Sequence, residues 1–211
     1  MLGTNEISNC INYGTVELKE GTGLYAGGIC GGMGTTDDTR IYNCINNGSI
    51  VGNTTSGGIV GLLSTNGTVE ECRNFGKVTS TQNVAGGIAG QFNQNNGQSK
   101  SKALKCYNSG EISGKNEIGG IVGWFCGETE QGTIEKCYNK GMITSEEEDC
   151  GAIVGIQAVY DGNATFDNLY YLNSVGLFAI NNQEKYNTET IKAVEIDLKT
   201  YEEFIEWINK I

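Results

Sequence analysis

The chain has 211 residues, 38% of them hydrophobic, and its 14 Lys and Arg residues against 25 Asp and Glu residues give a formal net charge of −11. This acidic balance, with no denser cationic group than Lys100, Lys102 and Lys105, excludes nucleic-acid binders, since phosphate neutralisation requires clustered cations. The absence of histidine excludes Ser-His-Asp and Cys-His nucleophiles and two-histidine zinc helices. No apolar run reaches the roughly 18 residues that a membrane-spanning helix needs, so we expect no membrane insertion.

The first ten residues, MLGTNEISNC, have neither a basic start nor a long apolar stretch, so no export signal is expected in them. The sequence enters a strand-like pattern almost at once. This start is typical of a segment cut from a longer protein with flanking domains.

A ten-residue frame, apolar-x-x-Cys-x-Asn-x-Gly-x-apolar, recurs five times, at 7–16, 41–50, 69–78, 103–112 and 134–143. Its cysteines are Cys10, Cys44, Cys72, Cys106 and Cys137, and its asparagines are Asn12, Asn46, Asn74, Asn108 and Asn139. A second frame built on Gly-Gly-Ile-x-Gly follows each copy, at 26–31, 56–61, 85–90, 118–123 and 150–155. An eroded sixth copy of the first frame stands at 166–173, with Leu169 at the cysteine position.

A repeat of about 30 residues indicates a solenoid, in which each unit buries its apolar face against its neighbours. The apolar runs are short, rich in Ile and Val, and bounded by Gly or Asn, which favours strands. The glycine after each asparagine is expected to turn the chain at a positive φ, at Gly14, Gly48, Gly76, Gly110 and Gly141. The sequence therefore predicts an all-β, right-handed parallel β-helix over 1–180, with about six coils of about three strands each.

Cysteine and asparagine lie two positions apart in the frame, so both point to one side of the strand, which we assign inward. Stacked at about 4.8 Å, the asparagines can form an internal ladder in which each amide donates to the next carbonyl oxygen. The cysteines fill space as small apolar side chains. Stacked thiols lie within disulfide reach, but a column of five cannot pair fully and parallel register disfavours the required dihedral. We predict buried free thiols there, while the redox state of Cys30, Cys126 and Cys150 stays open.

The chain end, residues 181–211, has the pattern of a cap. Thr200 and Glu203 have the spacing of a capping box, and a set of apolar residues falls on one helical face: Tyr201, Phe204, Ile205, Ile208 and Ile211. We expect an amphipathic helix over about 201–211, after an irregular or strand-like IKAVEI segment. Its expected role is to cover the last coil and its unpaired strand edges.

The paired frames NCINNG (43–48) and SGGIVG (56–61) resemble the GLUG repeat, named for its Gly-Leu-hydrophobic-Gly run, over about residues 7–173. GLUG repeats are seen in large exported or surface-anchored bacterial proteins, so the resemblance implies an extracellular or cell-surface location. It also implies a role as adhesin surface or structural spacer. Similar arrays accompany IgA-cleaving zinc metallopeptidases, whose HExxH motif has no counterpart in this chain. YEEFIEWINK is similar to the helix that closes such arrays before a further domain.

Alternation turns the residue after each frame cysteine outward. In chain order these residues are Ile11, Ile45, Arg73, Tyr107, Tyr138 and Tyr170, so the column is aromatic in its second half. Trp124 and Phe125 add two large rings at another corner. Exposed rings stack on sugar faces, which makes these five aromatic residues candidates for binding a host glycan or surface protein. The alternative is that the tyrosines stack on one another or lie beneath the C-terminal segment.

Other motifs are weaker indications of a functional site. GTGLYA (21–26) fits a dinucleotide loop but lacks a following helix, and GGMGTTD (31–37) nearly fits a calcium nonapeptide but is never repeated. The carboxylates at 146–149 could hold calcium or form a solvated turn. We expect no cofactor, no metal site and no enzyme activity. A polysaccharide-acting β-helix enzyme that uses carboxylates is the alternative, although no carboxylate pair recurs at a fixed place in the frame.

Overall fold

The computed structural model describes residues 5–19, 21–33, 38–92, 100–126, 132–146, 150–158, 165–172, 179–180, 191–194 and 197–210. Strands β1 to β28 and helix α1 within these residues form a parallel β-solenoid with one short C-terminal helix. The predicted fold class is therefore confirmed. The coil count differs slightly from six, since five coils are complete and a sixth is partial. The handedness stays a prediction.

Each complete coil contains five short strands, so the expectation of about three strands is wrong. Coil 1 comprises Asn5–Ser8 (β1), Ile11–Asn12 (β2), Val16–Glu17 (β3), Tyr25–Gly27 (β4) and Cys30–Gly32 (β5). Coil 2 comprises Thr39–Tyr42 (β6), Ile45–Asn46 (β7), Ile50–Gly52 (β8), Thr55–Gly57 (β9) and Val60–Leu63 (β10). Coil 3 comprises Thr68–Glu70 (β11), Arg73–Asn74 (β12), Val78–Ser80 (β13), Val84–Gly86 (β14) and Ala89–Phe92 (β15).

Coil 4 comprises Lys102–Leu104 (β16), Tyr107–Asn108 (β17), Ile112–Gly114 (β18), Ile118–Gly119 (β19) and Val122–Cys126 (β20). Coil 5 comprises Thr133–Glu135 (β21), Tyr138–Asn139 (β22), Ile143–Ser145 (β23), Cys150–Gly151 (β24) and Val154–Ala158 (β25). The last elements are Thr165–Asp167 (β26), Leu169–Leu172 (β27), Ile191–Val194 (β28) and the helix Tyr201–Ile208 (α1).

Equivalent strands of successive coils pair in parallel and form five sheets along the solenoid. Sheet 1 has the order β1-β6-β11-β16-β21-β26, and sheet 2 has the order β2-β7-β12-β17-β22-β27-β28. Sheets 3, 4 and 5 each have five strands. Their orders are β3-β8-β13-β18-β23, β4-β9-β14-β19-β24 and β5-β10-β15-β20-β25. Equivalent residues face one another, for example Asn12 and Asn46 in sheet 2. Each inward position therefore becomes a column of similar side chains.

The asparagines of sheet 2 form a continuous amide ladder inside the coils. Each Nδ2 donates to Oδ1 of the next asparagine at 2.8 Å, through Asn12, Asn46, Asn74, Asn108 and Asn139. The last amide, at Asn139, donates instead to the carbonyl oxygen of Ala152 at 2.9 Å. The ladder thus satisfies a column of polar groups, of which Asn46, Asn74, Asn108 and Asn139 are fully buried.

The frame cysteines are free thiols that also make hydrogen bonds. The Cys44 thiol donates to the carbonyl oxygen of Tyr42 at 3.3 Å, and its sulfur accepts from the backbone N–H of Cys10 at 3.4 Å. The thiols of Cys72 and Cys137 accept in the same way from the preceding column members. Cysteine therefore satisfies a backbone donor as well as filling space. Cys10 is exposed, whereas Cys44, Cys72, Cys106 and Cys137 are buried.

The glycines after Asn46, Asn74, Asn108 and Asn139 are required by close approach and not by their φ angles, whereas Gly14 in the first coil has no such contact. None of the five has a positive φ, so that expectation is wrong. A Cβ at Gly110 would overlap the carbonyl oxygen of Gly76 in the coil before, and a Cβ at Gly76 would overlap that of Gly48. Left-handed φ values between 49° and 54° occur instead at the residue before each frame cysteine and before Leu169: Asn9, Asn43, Glu71, Lys105, Lys136 and Asn168. Among the described residues, Glu117 is the further non-glycine case, with a φ of 56°.

The two repeated frames meet across the core. A Cβ at Gly58 would overlap the Asn74 side chain of the next coil, and a Cβ at Gly87 would overlap Asn108. Residue 171, which follows Asn139 in the register of sheet 2, is a tyrosine, so the ladder ends there. Ala152 replaces the second glycine in this last copy of the frame, where no asparagine follows. The ladder therefore explains why the Gly-Gly pair accompanies the Cys-x-Asn pattern.

Helix α1 begins at the predicted capping box, in which Thr200 Oγ1 accepts from the Glu203 N–H at 3.2 Å. Its apolar face packs along the outer face of sheet 2 against tyrosines of coils 4, 5 and 6. Ile211 and residues 181–190 lie outside the described residues, and the proposed domain boundary at 180 stays a prediction. Within the described part of the chain, no helix has the length and apolar character that crossing a membrane would need.

Candidate binding surface

The column after the frame cysteines lies on the outer face of sheet 2, where α1 covers its second half. Ile11, Ile45, Arg73, Tyr107, Tyr138 and Tyr170 stand in register. Tyr107, Tyr138 and Tyr170 are at most 1% exposed, although alternation turns them away from the core. The helix supplies the apolar partner for this face.

The contacts show how the tyrosines are held. The Phe204 ring stacks on Tyr138 at a centroid distance of 5.8 Å and an interplanar angle of 17°, and Trp207 meets the Tyr170 ring edge-on at 4.4 Å. The Tyr107 hydroxyl donates to the carbonyl oxygen of Leu198 at 2.8 Å. Burial raises the pKa of Tyr107, and it raises the pKa of Tyr138 to about 12. The tyrosines therefore lie beneath the C-terminal segment, as the alternative interpretation had it, and do not form an exposed stripe.

Arg73 anchors the start of the helix, a role that the sequence analysis missed. Its guanidinium lies 4.3 Å from the centroid of the Tyr201 ring and 3.5 Å from the Glu202 carboxylate. The Tyr201 hydroxyl donates to the carbonyl oxygen of Lys105 at 3.2 Å. The signal in the sequence was a lone arginine in a column that otherwise becomes aromatic, together with acidic residues in the first turn of the helix.

The other two aromatic candidates lie apart from the tyrosines. Phe125 is fully buried in the main core, 5.2 Å from the Phe92 ring and 5.3 Å from the Phe166 ring by centroid distance. It is therefore a packing residue and offers no exposed ring to a sugar. Trp124 is partly exposed and pairs in register with Gln91 of sheet 5. The five aromatic candidates do not converge on one site.

The thiols and carboxylates of the described residues offer no metal centre. No group of three or more His, Cys, Asp or Glu side chains among them is placed to hold a metal ion. Burial raises the pKa of the Cys72 and Cys106 thiols well above the ordinary value, which disfavours the thiolate form that metals bind. Glu146 is exposed, and the rest of the acidic run at 146–149 lies outside the described residues.

A groove lies on the outer face of sheet 1, at the corner where the chain passes from one coil to the next. Its volume is about 580 Å³, and we call it the loop-edge groove. It is lined by Glu6, Asp38, Thr39, Arg40, Asn66, Thr68, Lys100 and Lys102. Sequence analysis named Lys100 and Lys102 only as part of the densest cationic group, and it did not predict that stacking brings residues of four coils together here.

Arg40 is held firmly at one end of this groove. Its guanidinium lies 2.7 Å from the Glu70 carboxylate, 3.2 Å from the Glu6 carboxylate and 4.0 Å from the centroid of the Tyr42 ring. Hydrogen bonding to Glu70 raises the pKa of Arg40. The Arg40 side chain is therefore a fixed part of the groove wall. Its positive charge is offset by the carboxylates of Glu6 and Glu70.

No family model and no curated protein matches the chain. Its fold is similar to the crystal structure of a candidate immunoglobulin A1 protease from Bacteroides ovatus, with a TM-score of 0.55 and 20% sequence identity. The likeness covers 92% of this chain and 57% of that one, so the chain spans little more than half the length of this neighbour. At this identity the likeness shows the β-solenoid fold alone. Membership of the GLUG family stays a prediction.

Proposed function

We propose that this chain is a non-catalytic GLUG-type repeat module of an exported or cell-surface bacterial protein, where it provides an adhesin-like binding surface or acts as a spacer. The observation that carries the proposal is the use of every recurring residue in stacking. The asparagine amides satisfy one another, the thiols satisfy backbone groups, and the glycines allow the coils to approach. What recurs in this sequence builds a scaffold, and such scaffolds present surfaces for binding.

The neighbour from Bacteroides ovatus supports this proposal in one respect. Its name refers to immunoglobulin A1 proteolysis, and the part of it that resembles this chain is a β-solenoid. A chain without histidine cannot supply a two-histidine zinc motif of the HExxH type. We propose that this solenoid accompanies other domains of a longer protein and contacts a host surface protein or glycan, outside the cell.

The ion pairs beside the loop-edge groove also favour binding over catalysis. Arg40 lies 3.2 Å from the Glu6 carboxylate and 2.7 Å from the Glu70 carboxylate next to the groove, so both carboxylates already have a structural role. A carboxylate-based polysaccharide enzyme is the alternative function, and Glu6 and Asp38 are the carboxylates in the groove that it would use.

One assay separates the two functions. The purified chain is screened on a glycan array and then incubated with the same panel of plant and host polysaccharides, while new reducing ends are measured. Binding without new ends supports the module. Turnover that Glu6→Gln or Asp38→Asn abolishes would establish the enzyme instead.

The location is tested separately. An antibody against the chain should label intact, non-permeabilised cells of the bacterium that produces it. Labelling that requires permeabilisation would contradict the exported location.

A further inference from the structure

Connections between strands vary in length mainly at two corners of the solenoid. The turn from the fourth to the fifth strand of each coil always has two residues, for example 58–59 and 87–88. The connection from one coil to the next instead spans 33–38, 64–67 and 93–101 in the first three coils. Insertions in repeat proteins concentrate on one face, which is often the binding face. The loop-edge groove lies at this corner.

The floor of the groove comes from one outward column of sheet 1. Glu6, Arg40, Thr68 and Lys102 stand in register in coils 1 to 4, and their inward neighbours belong to the core. Thr68 is short, whereas Arg40 and Lys102 on either side of it are long. The column therefore leaves a depression between two long side chains, about 10 Å apart at two strand spacings.

The end of the groove formed by Lys100 and Lys102 is positive, although the net charge of the chain is −11. Lys102 is exposed, and the ion pairs among the described residues do not include it. Lys100 lies beside it, and its backbone N–H donates to the carbonyl oxygen of Thr65 at 2.7 Å. The hydroxyl of Ser101 donates to the carbonyl oxygen of Ser64 at 2.8 Å. These bonds fix the backbone that carries the two lysines.

The remaining lining residues are suited to hydroxyl groups. Asn66, Thr39 and Thr68 both donate and accept hydrogen bonds, while Glu6 and Asp38 accept them. A volume of about 580 Å³ falls within the range of small-ligand sites. The groove thus has acceptors at one end, amide and hydroxyl groups in the middle, and cations at the other end.

We infer that the loop-edge groove binds an acidic oligosaccharide. Lys102 receives the carboxylate of the ligand, since lysine ammonium groups form charge-assisted hydrogen bonds to carboxylates, and Lys100 adds a second positive charge beside it. Asn66 and Thr68 form hydrogen bonds with the hydroxyl groups of the neighbouring sugar. At the end opposite the lysines, the carboxylates of Glu6 and Asp38 accept hydrogen bonds from sugar hydroxyl groups. The inference rests on the proposed function as a binding module and names the class of ligand.

Titration calorimetry tests the inference with two acidic probes, 3′-sialyllactose and a hyaluronan tetrasaccharide, against lactose, which lacks the carboxylate. We expect at least one acidic probe to bind about tenfold or more tightly than lactose, and increasingly weakly as salt is raised. The two probes distinguish a terminal acidic sugar from an internal one.

Three variants locate the binding. The double variant Lys100→Ala, Lys102→Ala should weaken binding about tenfold or more, whereas Lys115→Ala, an exposed lysine at another corner, should leave it unchanged. Thr68→Trp should block the floor, with circular dichroism melts verifying that each variant folds.

No binding of either acidic probe, equal binding of lactose, or full binding by the double variant would overturn the inference. Binding of other glycans on the array, unaffected by these variants, would still leave the proposed function standing.

Discussion

The side-chain amide of Asn74 donates to Oδ1 of Asn108 across 2.8 Å, and Asn108 donates in the same way to Asn139. Each asparagine is therefore both donor and acceptor for its neighbours. A column of this kind works only if every coil supplies the same residue at the same place. This requirement explains why the frame recurs along the chain. It also means that the repeated residues stabilise the fold.

The first prediction compares two glycines at the same place in the frame. Gly110→Ala should strongly destabilise the protein, because the added methyl group overlaps the carbonyl oxygen of Gly76. Gly14→Ala should have little effect, because the nearest atom to its Cβ is Asn12 Oδ1 at 3.7 Å. Thermal melts of the two variants measure the difference. Equal melting temperatures would contradict close approach as the reason for glycine.

The second prediction concerns the thiols. In the native protein, Cys10 should react readily with a thiol reagent, whereas Cys44, Cys72, Cys106 and Cys137 should react only after unfolding, because they are buried. Burial also raises the pKa of Cys72 and Cys106, which lowers their thiolate fraction. Thiol titration before and after denaturant measures both populations. Labelling of five or more cysteines in the native state would contradict the inward column.

The sequence predicted the stack because each copy repeats its own inward residues, so the solenoid, the Asn12 to Asn139 ladder and the helix at Tyr201 were accessible from spacing alone. The position of the helix on the solenoid could not be predicted from spacing. Alternation shows that Tyr138 faces outward, but it does not show that Phe204 packs against it. The role of the glycines was also missed, since the contact of Gly110 with Gly76 joins residues of different coils. The groove was missed for the same reason.

The third prediction is a loss of stability at alkaline pH. Tyrosine ionises near pH 10 in an unfolded chain, whereas burial raises the folded pKa of Tyr138 to about 12. The folded state therefore holds its proton longer, and the free energy of unfolding should fall as the pH rises from about 10 to about 12. Tyr138→Phe should make this fall shallower in urea titrations at a series of pH values. An identical pH dependence in the two proteins would contradict the burial of this hydroxyl.

The fourth prediction separates packing from ligand binding at the tyrosines. Changing Tyr107 and Tyr138 together to Ala should lower the melting temperature substantially, because both rings are fully buried beneath α1. Glu206→Ala, on the exposed side of the same helix, should change it little. If the double variant kept its melting temperature and lost glycan binding, the tyrosines would be an exposed binding stripe after all.

The measurement that tests the central claim most directly is the urea unfolding of Asn108→Leu beside Asn47→Leu, an exposed asparagine next to the ladder. Leucine at 108 removes the acceptor of the Asn74 amide and the donor to Asn139, both buried. We expect Asn108→Leu to lower the free energy of unfolding by about 1–3 kcal/mol. Asn47→Leu should change it by no more than about 0.5 kcal/mol. An unchanged free energy of unfolding in Asn108→Leu would contradict the claim that the repeated residues hold the solenoid together.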